Sequence, residues 1–160
     1  MARSLDQVRI GSFTPVAPVV LAPMAGVTNA PFRSLCRQFA PGLLYVNEMV
    51  MATAVVHGNS KTERMMTFGA DEQPRSLQIY GSDPVILGEA IRMLCESDRV
   101  DHIDINFGCP AAKVTRKGGG AAVLPSPTCC GPSCAALSPR HHRSKCRSRS
   151  SSARACSSRC

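Results

Sequence analysis

The sequence predicts an α/β protein with a parallel sheet. Two observations carry that prediction. Short apolar runs alternate with stretches of helical periodicity through most of the first 106 residues. Proline or glycine stands at most of the changes between them, where the chain has to stop one element and begin another.

Val19-Val20-Leu21-Ala22, closed by Pro23, has the length and composition of a buried strand. Thr28 or Asn29 can then cap a helix, and Pro31 suits a first helical turn. Phe32, Leu35, Cys36 and Phe39 recur at helical spacing on one face, and Pro41-Gly42 ends the run. "LLYVNEM" is the second strand, and Val50–Thr67 reads as helical. "RSLQIYG" is the third strand, ended by Gly81. In "SDPVILGEAIRMLCES", Ser82 or Asp83 is the cap and Pro84 lies near the first turn; Leu87, Ala90, Ile91, Leu94 and Cys95 share a face. "HIDIN" is the fourth strand, with Ile103 and Ile105 alternating with polar residues.

Composition divides the chain near Leu124. Residues 1–124 hold 12 Lys/Arg and 11 Asp/Glu, a net of +1; residues 125–160 hold 7 Lys/Arg and no acid, a net of +7. Six of the nine cysteines also lie after Leu124. Cys36, Cys95 and Cys109 are far apart in the first part and read as free thiols of a reducing compartment. No apolar run is long enough to span a bilayer, and "MARSLDQVRIGS" lacks the apolar segment of a secretory signal, so the expected location is cytoplasmic, with no membrane partner.

In a parallel α/β sheet, function gathers at the C-terminal strand ends. Here those ends carry Pro23-Met24-Ala25, Asn47-Glu48, Gln78 and Asn106-Phe107-Gly108-Cys109. The set is rich in amides and has one thiol. It has no His/carboxylate cluster, serine elbow, P-loop or dinucleotide glycine fingerprint, and no metal is expected. Amides suit a planar heterocycle with alternating donors and acceptors, such as a flavin or a nucleobase.

Four motifs, "LAPMAGVTNAPFR", "NEM", "LQIYGSDP" and "DINFGCPAAKVTRKGGGAA", resemble the bacterial tRNA-dihydrouridine synthase family over roughly residues 10–123, in the family's order. The resemblance implies a TIM (β/α)₈ barrel, of which this chain would hold the N-terminal half, with a helical domain beyond it in the family. It implies FMN and NADPH as cofactors and tRNA as partner, the C5=C6 bond of chosen uridines being reduced. Pro23, Met24 and Ala25 would lie against the FMN ring. Gln78 would hydrogen-bond its polar edge, and Asn106 would sit beside flavin and base. Cys109 would be the general acid, giving a proton to C5 while hydride reaches C6 from FMN N5. Lys113, Arg116 and Lys117 would contact tRNA phosphates.

Elementary chemistry agrees with these implied roles. Hydride addition leaves carbanion-like charge at C5, so an acid must stand close by. A cysteine thiol ordinarily titrates near about 8.5 and is mostly protonated at neutral pH. A uridine inside folded tRNA must be extruded to reach such a pocket, and cations at its mouth would hold the backbone.

Taken singly, the same residues have plainer readings. Cys36 and Cys95 read as core thiols. Gln78 could cap a strand edge, and Lys113, Arg116 and Lys117 could be a solvated surface run. Met49, Met51, Met65 and Met66 read as packing, and His57 and His102 as solvent or core contacts.

Residues 1–124 are thus expected to be a partial FMN-binding barrel and residues 125–160 a disordered, non-native basic tail. An Arg/Ser-rich RNA-binding tail and a zinc site are the other readings of the tail; the latter lacks a C-x-x-C pair. The genetic code favours a lost reading frame. With permitted, mostly GC-rich codons, Ser144–Arg154 read one frame over contains V-P-V-T-V-K-F-R, a strand ending in cations. Pro127–Ser138 in that frame gives D-L-L-R-A-I-V-R-G-A-V, an amphipathic helix. Helix then strand is what a βα barrel needs next. The expected junction is Val123–Ser126, and the chain as written is expected to be inactive. Two rivals remain: a dihydroorotate dehydrogenase-like reductase of free pyrimidines, and a non-catalytic basic RNA-binding fragment.

Overall fold

A computed structural model describes residues 8–123, together with the backbone of 147–150. The elements follow in the order β1 (Val20–Leu21), α1 (Ala30–Phe39), β2 (Leu44–Met51), α2 (Ala52–Val56), α3 (Ser60–Met65), β3 (Ser76–Tyr80), α4 (Pro84–Glu96), β4 (His102–Ile105), α5 (Ala112–Thr115), a 3₁₀ turn (Gly120–Ala122) and β5 (Arg147–Ser150). The strands pair in sequence order, β1-β2-β3-β4-β5, and every pair is parallel. Strands in sequential order joined by helical crossovers are the succession of the first βα units of a (β/α)₈ barrel.

Local chemistry explains the boundaries. Asn29 caps α1 by accepting from Phe32 N, and Asp83 caps α4 by accepting from Val85 N and Ile86 N; each helix has a proline in its first turn. In Val50–Thr67, Val50 and Met51 still belong to β2, and the helical part is two short helices, α2 and α3. Asn59 accepts from Lys61 N and Thr62 N, which starts α3 afresh. Each side-chain cap is worth about 1 kcal/mol.

Leu77 and Ile79 of β3 and Ile103 and Ile105 of β4 are fully buried against Leu87, Ala90 and Leu94 of α4. Burying each of these four side chains contributes about 1.5–3 kcal/mol. Ile91 and Cys95 pack against this core from its margin. The alternation in "HIDIN" therefore has a structural meaning: the isoleucines face the helices, and His102 and Asp104 face the other side of the sheet.

Three expectations need correction. Val19–Ala22 is not a buried strand: only Val20 and Leu21 pair, and Val19 and Val20 are about half exposed, because among the described residues β1 is an edge with a neighbour on one side alone. The apolar face assigned to α1 is not its buried face. Leu35 is 50% and Phe39 83% exposed, while Arg33 is the fully buried residue of the helix. Cys36 is half-buried and no part of the core cluster, whereas Cys95, also half-buried, packs against it; neither they nor Cys109 form a disulfide. The expected disorder and altered frame of 125–160 lie outside the described residues, save 147–150, whose backbone is extended beside β4. No helix among the described residues is long and apolar enough to cross a membrane.

Candidate functional site

The inward face of the sheet is polar, which is unusual for strands this deeply buried. In β3 and β4 the register places Ser76 beside His102 and Gln78 beside Asp104. Ser76 Oγ lies 2.7 Å from His102 Nδ1, so His102 is a satisfied core histidine. One step towards the C-terminal ends, Gln78 Nε2 donates to Asp104 Oδ2 at 2.6 Å, and Gln78 Oε1 accepts from Asn106 Nδ2 at 2.9 Å. Asn106 Nδ2 also meets Met49 Sδ at 3.4 Å, which brings Met49 into the cluster. Neighbouring strands thus join the two amides singled out in the sequence by a direct hydrogen bond.

The other end of the Asn106 amide builds the turn that carries the cysteine. Asn106 Oδ1 accepts from Gly108 N at 3.0 Å and from Cys109 N at 2.9 Å. A side-chain oxygen that bonds backbone two and three residues ahead pins a turn without a helix or ladder. Cys109 is half-buried there. Tyr80, at the end of β3, is nearby and 9% exposed. Burial, and after it the neighbouring Cys109, push the Tyr80 phenol above its ordinary value, so it remains a neutral hydroxyl at physiological pH.

Pro23, Met24 and Ala25 lie in the loop leaving β1. Thr28, fully buried, ties that loop to itself: Met24 N donates to its Oγ1 at 2.9 Å, and the hydroxyl donates back to Met24 O at 3.2 Å. Glu48 Oε2 accepts from Gly26 N at 2.6 Å and links the loop to β2. Met24 and Ala25 are left exposed at the strand ends. The neighbouring Asn47 serves a different purpose. Its side chain turns to the helix side, where its Oδ1 accepts from Arg33 Nη1 at 2.8 Å and its Nδ2 donates to Met65 O at 2.6 Å.

Lys113, Arg116 and Lys117 are exposed on and just after α5, beyond the thiol. Lys117 also lines a recess of about 230 Å³ with Met51, Tyr80, Ser82 and Val114. No group of His, Cys, Asp and Glu suited to a metal occurs among the described residues.

The structure therefore gathers Gln78, Asn106 and Cys109 into one connected cluster, and sets Pro23-Met24-Ala25 and the three cations around the same strand ends. Sequence reading passes over Asp104 and Arg33, and it offers Thr28 only as a helix cap and Glu48 only as a strand-end residue. Asp104 has a signal available: it alternates with two buried isoleucines and so shares a face with Asn106. Arg33 has none, because its carboxylate partner lies 39 residues away.

Comparison with known proteins adds the following. Residues 20–138 match the family model described as dihydrouridine synthase (Dus). A probable tRNA-dihydrouridine synthase of Mycobacterium tuberculosis is 53% identical over 121 residues, 72% of this chain and 31% of that protein. The corresponding protein of Mycobacterium leprae is 47% identical, covering 65% of this chain and 34% of its own length. The tRNA-dihydrouridine synthase B of Pseudomonas aeruginosa is 44% identical, covering 75% and 36%. The chain spans about a third of the length of the curated relatives it matches.

Proposed function

The chain belongs to the dihydrouridine synthase family, and from that premise we propose that its described residues are the flavin- and uracil-facing half of a cytoplasmic tRNA-dihydrouridine synthase. The observation that carries this reading is the Gln78–Asn106–Cys109 cluster at the strand ends.

The donor set suits a flavin ring. Two amides stand at adjacent strand ends; Gln78 retains a donor and an acceptor site beyond its bonds within the protein, whereas Asn106 spends its own on Gln78, Met49, Gly108 and Cys109 and acts by holding the turn. Met24 and Ala25 offer an apolar surface for a ring face. When bound, FMN reduced by NADPH supplies the hydride for C6 of uracil. The chain's own part is proton delivery and positioning. Asn106 holds the Cys109 turn from one side, so the thiol is presented to C5 at a strand end rather than on a free loop. The thiol proton moves to C5 as negative charge develops there, and the thiolate is reprotonated from solvent. Tyr80, kept neutral by burial, adds no charge that would oppose the thiolate. Lys113, Arg116 and Lys117 attract the phosphates that flank an extruded uridine.

The reading includes a lost frame beginning at Val123–Ser126, which makes residues 125–160 non-native. Position supports it. β5, with the sequence Arg-Ser-Arg-Ser, pairs with β4 where the next barrel strand belongs. Interior parallel strands are rich in Val, Ile and Leu. The shifted frame lays V-T-V-K over the same segment. The family match in the frame as written runs to residue 138, beyond the expected junction, and weighs against it.

Sequencing the coding DNA across codons 120–130 tests the junction; an intact frame at that point sinks it. Expression of the 160-residue chain beside a frame-corrected one tests the function. The corrected protein is expected to purify yellow with about one FMN per chain and to form dihydrouridine in tRNA, with no turnover of free orotate or uracil. The chain as written is expected to hold little or no flavin, because half a barrel leaves sheet edges unpaired. Turnover of orotate without tRNA would move the protein to the free-pyrimidine reductases. Binding of RNA with no reduction at all would make it a non-catalytic RNA-binding protein.

A further inference from the structure

The three glycines Gly118, Gly119 and Gly120 are not equivalent. Gly118 has φ +75°, and a β-carbon there would meet only the Ser82 side chain, at 3.4 Å. Gly119 is extended, and a β-carbon would make ordinary contacts with Val114 and Tyr80, the nearest at 3.4 Å. Gly120 is buried with φ +58°, and a β-carbon there would lie 2.5 Å from Cys109 O and 3.1 Å from Cys109 Cβ. The next residue makes the contact explicit: Ala121 N donates to Cys109 O at 3.0 Å. On the opposite side Cys109 N donates to Asn106 Oδ1. Both backbone polar groups of the cysteine are therefore held, one by the residue just after β4 and one by a turn that passes directly over it.

We propose that Gly120 is a positioning residue for Cys109, its bare α-carbon allowing the 120–122 turn to close on the cysteine backbone and hold the thiol at the end of β4. The proposal rests on reading Cys109 as the proton donor. Any side chain at 120 meets a carbonyl oxygen within a fixed turn, so the turn or the cysteine has to move. The left-handed conformation adds strain to the same substitution. Gly118→Ala carries that backbone strain without the contact, which makes it the control.

The test is the alkylation rate of Cys109 by iodoacetamide in the 160-residue chain, read by peptide mass spectrometry, with Cys36 and Cys95 as internal references. It reads the geometry of the thiol rather than turnover, so it stands or falls independently of any dihydrouridine assay. Cys109 of the unaltered chain is expected to react at least about tenfold more slowly than in urea, because the held turn leaves the half-buried thiol open on one side only. Gly120→Ala is expected to remove most of that difference, with Cys36 and Cys95 unchanged, whereas Gly118→Ala leaves Cys109 slow. The proposal is overturned if the unaltered chain already reacts at the urea rate, or if Gly118→Ala has the same effect as Gly120→Ala. It is equally overturned if all three thiols accelerate together in Gly120→Ala, since the turn would then support the fold at large.

Discussion

Replacing Glu72 by glutamine is expected to lower the stability of the described fold by about 3–5 kcal/mol, the usual cost of removing one partner of a buried ion pair. Arg33 is fully buried, and Glu72 is 1% exposed. The guanidinium donates to both carboxylate oxygens, at 2.5 and 3.0 Å, and its remaining bonds go to Thr28 O, Thr67 O and Asn47 Oδ1. All those other partners are neutral, so the Glu72→Gln change would leave a full positive charge inside the protein with only dipoles to meet it. Four segments converge on Arg33: α1, the β1 loop, β2 and the stretch after α3. Losing the charge partner therefore loosens the elements that set the height of Met24 and Ala25. A domain's whole stability is only about 5–15 kcal/mol, so the variant is expected to unfold largely in mild denaturant. Arg37→Gln is the comparison. Arg37 also approaches Glu72, at 3.3 Å, and Asp71, at 3.2 Å, but Asp71 is 79% exposed. Loss at Arg37 is expected to cost less, because Glu72 keeps both of its bonds from Arg33 and no buried cation is left unpaired. Urea titration followed by circular dichroism separates the two. Equal midpoints for Glu72→Gln and Arg37→Gln would falsify the assignment of Arg33–Glu72 as the pair that ties β1, β2 and α1 together.

That pair also shows where reading from sequence stops. Periodicity places α1 correctly, from its Asn29 cap to Phe39, because caps and proline act within a few residues of where they stand. It assigns the wrong inner face, because it counts only apolar residues. An arginine can occupy the interior when a carboxylate and several carbonyls are brought to it, and those come from positions with no fixed spacing to the helix. The same limit appears at β1. Val19 and Val20 have strand composition, but composition says nothing about how many neighbours a strand has, and exposure at an edge follows from the count of neighbours.

At the site the balance is different. Gln78, Asn106 and Cys109 are legible because strand ends can be located from sequence, and because the motifs around them resemble a known family. Their mutual contact is not legible, since it depends on the β3–β4 register that sets Gln78 opposite Asp104 and so places Asn106 one step beyond it. In the sequence the glycine run is a loop near the mouth of the site. Only geometry distinguishes Gly120, pressed on Cys109, from Gly118, which is merely left-handed.

Replacing Cys109 by alanine in the frame-corrected protein is expected to reduce dihydrouridine formation by about 10²- to 10⁴-fold, the range that a positioned proton donor contributes. Tight binding of tRNA should change by less than about twofold, because phosphate attraction comes from exposed cations and not from the thiol. Cys109→Ser sharpens the argument. Serine keeps the size, and its backbone can make the same bonds to Asn106 and Ala121, so the turn is preserved. Its hydroxyl is a far weaker acid than a thiol, so it should recover little of the lost rate. If the cysteine acted only by shape, serine would restore activity and alanine would lose little. Single-turnover reduction of tRNA by the pre-reduced protein reads the step directly, with product release left out. A rate for Cys109→Ala within about threefold of the unaltered protein would remove Cys109 as the acid. Tyr80, the neutral hydroxyl beside it, would then be the next group to replace.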